Sequence, residues 1–224
     1  EQKLGIVDEL RAAGHVVAMT GDGVNDAPAL RRADVGVAMG RSGSEVARQA
    51  ADLVLLDDDF ATIVEAVAEG RRVYDNIRRF LVYGLAGGAA EVLIMLVGPA
   101  LGMALPLLPA QVLWVNLLTH GLPGVALGTE PGEPDSLRRP PRDPAQGVLA
   151  AGVLPAVLGI GTAIAVVSLV LAEVAQHRGL PWQSMLLVTL TMQQLYVALV
   201  LRSARRSVVA TGLRGNPSLL LAVA

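Results

Sequence analysis

The chain has 224 residues, of which 53% are hydrophobic, 17% charged and 3% aromatic, with a mean hydropathy of +0.52. Soluble domains of this size carry about 25% charged residues, so an ordinary soluble globular protein is excluded. The net charge of −2 lacks the basic surplus of a nucleic-acid binder, and no nucleic-acid partner is expected. Without cysteine there is no disulfide, thiolate metal site or thiol nucleophile. The charge balance hides a segregation: residues 1–75 hold 14 acids and 8 bases, whereas residues 76–224 hold 6 acids and 10 bases. The two halves face different environments.

In chain order, Leu4, Ile6, Val7 and Leu10 are spaced for a helix that Gly14 ends, followed by a strand over residues 16–20. The step repeats as a helix near 28–33, a strand over 35–39, a helix near 45–51 and a strand over 53–56. Short apolar strands separated by helices predict a parallel sheet covered on both faces. Three strands are few for such a sheet, the first residue is Glu1 and not Met, and residues 219–224 form an apolar run. We therefore expect a segment of a longer protein, with further strands upstream.

From residue 81 the pattern changes. Residues 81–128 contain one formal charge, Glu91, and residues 148–172 and 179–201 contain none. A spanning helix needs about 20 apolar residues, and Gly98-Pro99, Pro106 and Pro109 divide the first block. The predicted arrangement is a soluble part over 1–60, a helical connector over 61–80, and spans at about 81–101, 110–128, 149–172 and 183–201. A fifth span begins at 216–224. Arg71, Arg72, Arg78, Arg79, Arg138, Arg139, Arg142, Arg202, Arg205, Arg206 and Arg214 flank the spans on one side, and Arg178 stands alone on the other. That bias predicts a multi-pass protein of the cell membrane whose amino-terminal part and basic loops are cytoplasmic, with Trp182 at the outer interface.

Residues 20–28, Thr-Gly-Asp-Gly-Val-Asn-Asp-Ala-Pro, lie between a predicted strand and a predicted helix, at the sheet edge where ligands bind. Asp22 and Asp26 can reach one hard cation, and Mg²⁺ takes one or two protein carboxylates with phosphate and water. Gly21 and Gly23 allow close approach of the backbone. Read on residues alone, such a turn also serves as a solvated loop or a helix cap.

In the membrane part, Glu91 lies near the middle of the first span, where an ionisable group is retained for a partner or for ions. Asn116, Thr119 and His120 share one helix face at i, i+3 and i+4. Gly121, Pro123 and Gly124 allow the backbone to unwind and turn carbonyls toward the same cavity. Such oxygen donors suit a hard divalent cation; their plainer role is bonding between helices. Gly84 and Gly88, and Gly152, Ala156, Gly159 and Ala163, are expected to form packing faces, and Thr191 and Gln194 to hydrogen-bond between helices.

The run TGDGVNDAPAL at 20–30, with Lys3 upstream and Asp57-Asp58-Asp59-Phe60 downstream, resembles the phosphorylation domain of P-type ATPases, a branch of the haloacid dehalogenase superfamily. Residues 113–119 (LWVNLLT) and Gly121-Leu122-Pro123 resemble the sixth spanning helix of the calcium-pump-like (type II) subgroup. Residues 139–142 (RPPR) resemble the cytoplasmic loop that follows it. The resemblance covers nearly the whole chain. It implies an α/β fold, a partial haloacid-dehalogenase-like, Rossmann-type domain, followed by an all-α transmembrane helix bundle.

The resemblance also implies that Asp22 holds Mg²⁺ with support from Asp26, and that Lys3, Asn25 and the Gly21 turn meet the transferred phosphoryl group. ATP would be bound by a domain outside this segment. The family's phosphorylated aspartate, in a DKTGT motif, is not in this sequence, so the segment alone is expected to be inactive. Glu91, Asn116 and Thr119 are implied as ligands of the transported cation, with His120 beside them. The sequence departs from the calcium-pump pattern in carrying Gly88 for an Asn, His120 for an Asp and Thr191 for a Glu, which points to one divalent ion, or a different ion, in place of two Ca²⁺.

The function so implied is ATP-driven transport of a divalent, Ca²⁺-like cation through a phosphoenzyme. Its partners would be the cation, the lipid bilayer and the missing amino-terminal part of the chain. Two other readings stand beside it: a non-catalytic membrane module binding Mg²⁺ or phosphate, and a membrane-anchored phosphatase of the same superfamily.

Overall fold

The computed structural model describes residues 2–140, 142, 146–149, 152–202 and 215–223. Arg205, Arg206 and Arg214, which entered the charge argument, lie outside the described residues. The chain divides into two compact units, residues 1–68 and 69–224.

The first unit carries α1 (Gln2–Ala12), β1 (Ala18–Gly21), a 3₁₀ turn (Val24–Asp26), α2 (Ala27–Arg32), β2 (Val35–Met39), α3 (Glu45–Ala50) and β3 (Leu53–Leu55). The three strands form one parallel sheet in the order β1-β2-β3, with Thr20 opposite Val37 and Ala38 opposite Val54. The α/β expectation holds. β1 starts later than expected because the Val17 N–H donates to the Asp34 carboxylate (2.9 Å) and the Val17 carbonyl takes the Asp34 and Val35 N–H groups. The ladder therefore begins at Ala18. Alternation along β2 separates the two faces: Ala38 packs with Leu30, Ala47 and Ala50 of α2 and α3, while Val37 and Met39 pack with Leu55 and, more peripherally, Ile63.

Helix α4 (Ala61–Ala100) starts in the first unit, where the Asp59 carboxylate accepts the Ala61 N–H at 2.8 Å, and continues through the second. The second unit adds α5 (Pro109–Asn116), a π-helical turn (Leu117–Gly121), α6 (Leu122–Gly128), a 3₁₀ turn (Ser136–Arg138), α7 (Val153–His177), α8 (Trp182–Val200) and α9 (Pro217–Val223). Among the described residues, three helices are long and apolar enough to cross a membrane: α4, α7 and α8. The predicted span 110–128 is helical in three pieces, not one. Pro123 has no N–H to give the carbonyl four residues back, and the turn there widens to the π form.

Ala90, Ile94, Leu107, Val115, Leu169, Leu186 and Leu190 form the interior of this unit, while Leu113, Val125, Leu154 and Met192 are more than 60% exposed. Apolar residues on the outside and polar groups within are the pattern of a protein solvated by lipid. Close packing falls on other glycines than expected. A Cβ on Gly161 would lie 3.0 Å from the Ala86 carbonyl and from Ala89, whereas Gly88 and Gly159 meet nothing within 4 Å and Gly84 meets only the His120 ring. Periodicity placed a small face on α7 but not the side turned to α4.

Candidate catalytic loop and candidate ion site

β1 delivers the chain at Gly21 into the turn that starts α2. Asp26 is 6% exposed and turned inward. Its Oδ1 accepts from Lys3 Nζ at 2.7 Å, and its Oδ2 lies 3.3 Å from the N–H groups of Asp22 and Gly23. A Cβ on Gly21 would sit 2.6 Å from the Asp26 Cβ, so the turn requires glycine there. The bond from Lys3 holds the Asp26 carboxyl below its ordinary range, and Asp26 raises the Lys3 ammonium in return.

Asp22 is exposed and its charge acts on the Lys3 ammonium, while its carbonyl accepts from the Ser44 N–H at 2.7 Å. Across the turn, Asp58 adopts φ +58° and its carboxylate accepts the N–H groups of Gly40 (2.7 Å), Arg41 (2.9 Å) and Ser42 (2.8 Å). Those amides, Arg41 foremost, lower its pKa to about 2.

Lys3, Thr20, Gly21, Asp22, Ser42 and Asp58 line a cleft of about 340 Å³. Asn25 lines a second cleft, of about 660 Å³, with Lys3, Gly23 and Asp26. Lys3 stands in both walls. The structure thus brings Lys3 and Asp22 together, leaves Asp26 engaged in holding the turn, and puts Asn25 in the adjoining space. An open carboxylate beside a lysine and a hydroxyl fits Mg²⁺ with a phosphate group. Ser42 was missed by sequence reasoning; the Gly40–Gly43 spacing was the available signal.

In the second unit, Glu91 is 7% exposed. Its Oε2 accepts from Asn116 Nδ2 at 3.0 Å and its Oε1 from Gln194 Nε2 at 3.2 Å. Asn116 Nδ2 also donates to the Val112 carbonyl (2.9 Å), and Asn116 Oδ1 lies 2.7 Å from His120 Nδ1. Glu91, Asn116 and His120 are therefore brought together, and α8 joins them through Gln194.

Thr119 is fully buried but its hydroxyl donates to its own helix, at the Val115 carbonyl (2.8 Å). The Thr119 carbonyl, released by Pro123, accepts from the Tyr83 hydroxyl at 2.7 Å. Likewise Thr191 donates to the Leu187 carbonyl. Gln194, 1% exposed, is the α8 side chain that reaches Glu91.

A third cluster, not foreseen from sequence, closes the basic end of the bundle. Arg202 Nε donates to both Glu130 oxygens (3.0 and 3.2 Å), and Asn216 Nδ2 to Glu130 Oε2 (2.7 Å). Arg79 pairs with Glu133 and Arg139 with Asp75, while Arg71 donates to the Ser136 and Arg139 carbonyls. Several of the predicted topogenic arginines thus fasten the loop after α6 to α4. The Asp75 bond raises the Arg139 guanidinium pKa.

Comparison with known proteins gives the family. Residues 104–224 match the family described as "Cation transporting ATPase, C-terminus". The chain belongs to the cation-transporting P-type ATPases. Within that family it is 49% identical over 178 residues to the "Calcium-transporting ATPase" of Bacillus subtilis (strain 168), covering 80% of this chain and 20% of that protein. It is 54% identical over 162 residues to the "Probable cation-transporting ATPase F" of Mycobacterium tuberculosis (strain ATCC 25618 / H37Rv), covering 72% and 18%. To the "Calcium-transporting ATPase 1" of Yarrowia lipolytica (strain CLIB 122 / E 150) it is 39% identical over 228 residues, covering 99% and 24%. The chain spans about a fifth to a quarter of the length of these P-type ATPases.

Proposed function

We propose that this chain contributes the Mg²⁺ loop and part of the ion site of a pump that drives a divalent cation across the cell membrane with ATP, through a phosphoenzyme. The observation that carries this reading is the anchoring of Glu91 by amides from two other helices, at 3.0 and 3.2 Å. A membrane-buried carboxylate kept in such a cage is suited to a cation. The relatives named for calcium supply the first candidate ion. Moving a dication against 100 mV needs about 4.6 kcal/mol, twice the unit-charge value, which explains a need for ATP.

In this reading Asp22 would hold Mg²⁺, whose charge would offset that of the transferring phosphoryl group. Lys3, held by Asp26, points its ammonium along the same cleft, and Asn25 offers an amide from the neighbouring one. Gly21 keeps the turn tight enough for the backbone to approach the phosphate. Helix α4, unbroken through Gly70, carries Glu91 and is the mechanical element we assign to coupling over residues 60–80. The test is ion-stimulated ATPase activity of the full-length pump with Glu91→Gln: loss of stimulation at any practical ion concentration supports the reading, and wild-type ion dependence overturns it.

A further inference from the structure

Two acceptor atoms beside Glu91 are buried without a hydrogen-bond partner among the described residues: His120 Nε2 and Gln194 Oε1. Both close around Gly87, one turn before Glu91 on α4. A Cβ placed on Gly87 would lie 2.6 Å from His120 Nε2 and 3.3 Å from the Gln194 amide carbon.

The hydrogen bonds fix what these atoms are. Asn116 Nδ2 points at a carboxylate and a carbonyl, which only an NH₂ group can do, so Asn116 Oδ1 is the acceptor facing the ring. His120 Nδ1 therefore carries the proton, and in the neutral imidazole Nε2 holds a bare lone pair. The Gly84 carbonyl also lies against this ring. Gln194 is oriented by its bond to Glu91 Oε1, which leaves its carbonyl oxygen unpartnered. A carboxylate and two lone-pair donors thus cluster around Gly87 in the interior of the bundle, a combination that calls for a positively charged guest.

We propose that Glu91, His120 Nε2 and Gln194 Oε1 form a mixed nitrogen and oxygen site that takes a borderline first-row transition-metal dication in preference to Ca²⁺. The imidazole sets the class, because nitrogen donors favour such ions while Ca²⁺ takes oxygen ligands. The inference rests on the transport reading above and narrows its substrate. It assigns the α8 contribution to Gln194, since the Thr191 hydroxyl is bonded to its own helix.

The test uses purified full-length pump in detergent without nucleotide, with Co²⁺ as the probe, its visible absorption reporting a nitrogen ligand, and Ca²⁺ as competitor. Phosphoenzyme formation is measured in parallel. Wild type should bind Co²⁺ more tightly than Ca²⁺ and show the nitrogen signature. His120→Ala should weaken Co²⁺ by at least roughly 10- to 100-fold, the range for losing an outer-shell partner of a ligand and hence a floor for losing the ligand itself, and leave Ca²⁺ nearly unchanged; Gln194→Leu should weaken both. His120→Asp should invert the preference toward Ca²⁺, a gain that misfolding cannot produce. If Ca²⁺ still drives phosphorylation while neither His120→Ala nor Gln194→Leu alters Co²⁺ binding, the inference falls and the transport reading stands. If neither ion binds nor stimulates phosphorylation, both fall.

Discussion

Glu130→Leu should destabilise the membrane unit severely, and the reason is visible in the geometry of the Glu130 carboxylate. The Glu130 and Arg202 side chains are 4% and 2% exposed. The substitution removes the acceptor of the two Arg202 Nε bonds (3.0 and 3.2 Å), the ion-pair partner of Arg202 Nη2 (3.0 Å) and the acceptor of the Asn216 bond at 2.7 Å. Removing one member of a buried ion pair destabilises by about 3–5 kcal/mol, mostly because the remaining charge stays buried. Where the pair is also lost in the transition state for inactivation, about 3 kcal/mol corresponds to roughly a 150-fold faster rate. The assay is the half-life of the monodisperse full-length protein in detergent at a fixed temperature.

A second variant isolates the charge from the packing. Glu130→Leu with Arg202→Met replaces both partners by apolar groups, which is often neutral or stabilising, so the double variant should outlive the single one. A single variant as durable as wild type, or a double variant worse than the sum of its parts, would refute the reasoning.

Asp22→Ala should abolish Mg²⁺-dependent turnover of the full-length pump, measured as steady-state ATPase activity; Asn25→Ala should weaken phosphate contacts with the fold intact, as seen in an unchanged melting profile. Asp58, with a pKa of about 2 against an ordinary value near 3.9, contributes stability that is present above the ordinary value and lost as the pH falls through about 2. Hydrogen exchange should therefore find the Arg41 and Ser42 amides protected at pH 5 in wild type and exposed in Asp58→Ala, where a left-handed φ adds strain, while the Gly40 amide keeps its bond to the Leu55 carbonyl; Asp58→Gly should relieve that strain without restoring the protection. For topology, a cysteine at the exposed Arg138 should resist an impermeant reagent in intact cells, and one at His177 should react. Residues 203–206, expected on the same side as Arg138, lie outside the described residues.

The candidate loop was legible because its information is mostly local. Strand, glycines, two aspartates and helix start follow one another within nine residues, with Lys3 and the Ser44 N–H as contacts from further along the chain. The candidate ion site was legible only in part. Glu91 announces itself as one charge in a long apolar block, and Asn116 and His120 follow from helical spacing.

Gln194 does not announce itself. An uncharged amide in an apolar helix has no periodic signature, and which side of α8 faces α4 depends on packing that sequence spacing does not encode. Thr119 and Thr191 show what spacing leaves out: a threonine hydroxyl in a helix can satisfy itself on the carbonyl four residues back, and both do. The Glu130 cluster was invisible because its members lie 72 and 86 residues from Glu130 along the chain.

Many buried polar groups of the second unit gather in two clusters, one built on the Glu130 carboxylate and one on Glu91. At the basic end, Asn76, Arg79, Glu130, Asn216 and Arg202 all have bonded partners, the Glu130 carbonyl accepting from Asn76 and Arg72 as well. Such a network fixes one arrangement. Around Glu91 the carboxylate is bonded by two amide N–H groups, and the complementary acceptors on His120 and Gln194 are left over.

In the proposed reading this imbalance is what a transport site requires. Amides that donate to Glu91 partly neutralise the carboxylate while the site holds no cation, which keeps that state within reach. An arriving dication must displace those N–H contacts and recruit the leftover lone pairs, so part of its binding energy is offset by the bonds it breaks. Affinity is thereby held below what a fully pre-formed cage would give, and a site that must release its ion on the far side of the membrane needs that moderation.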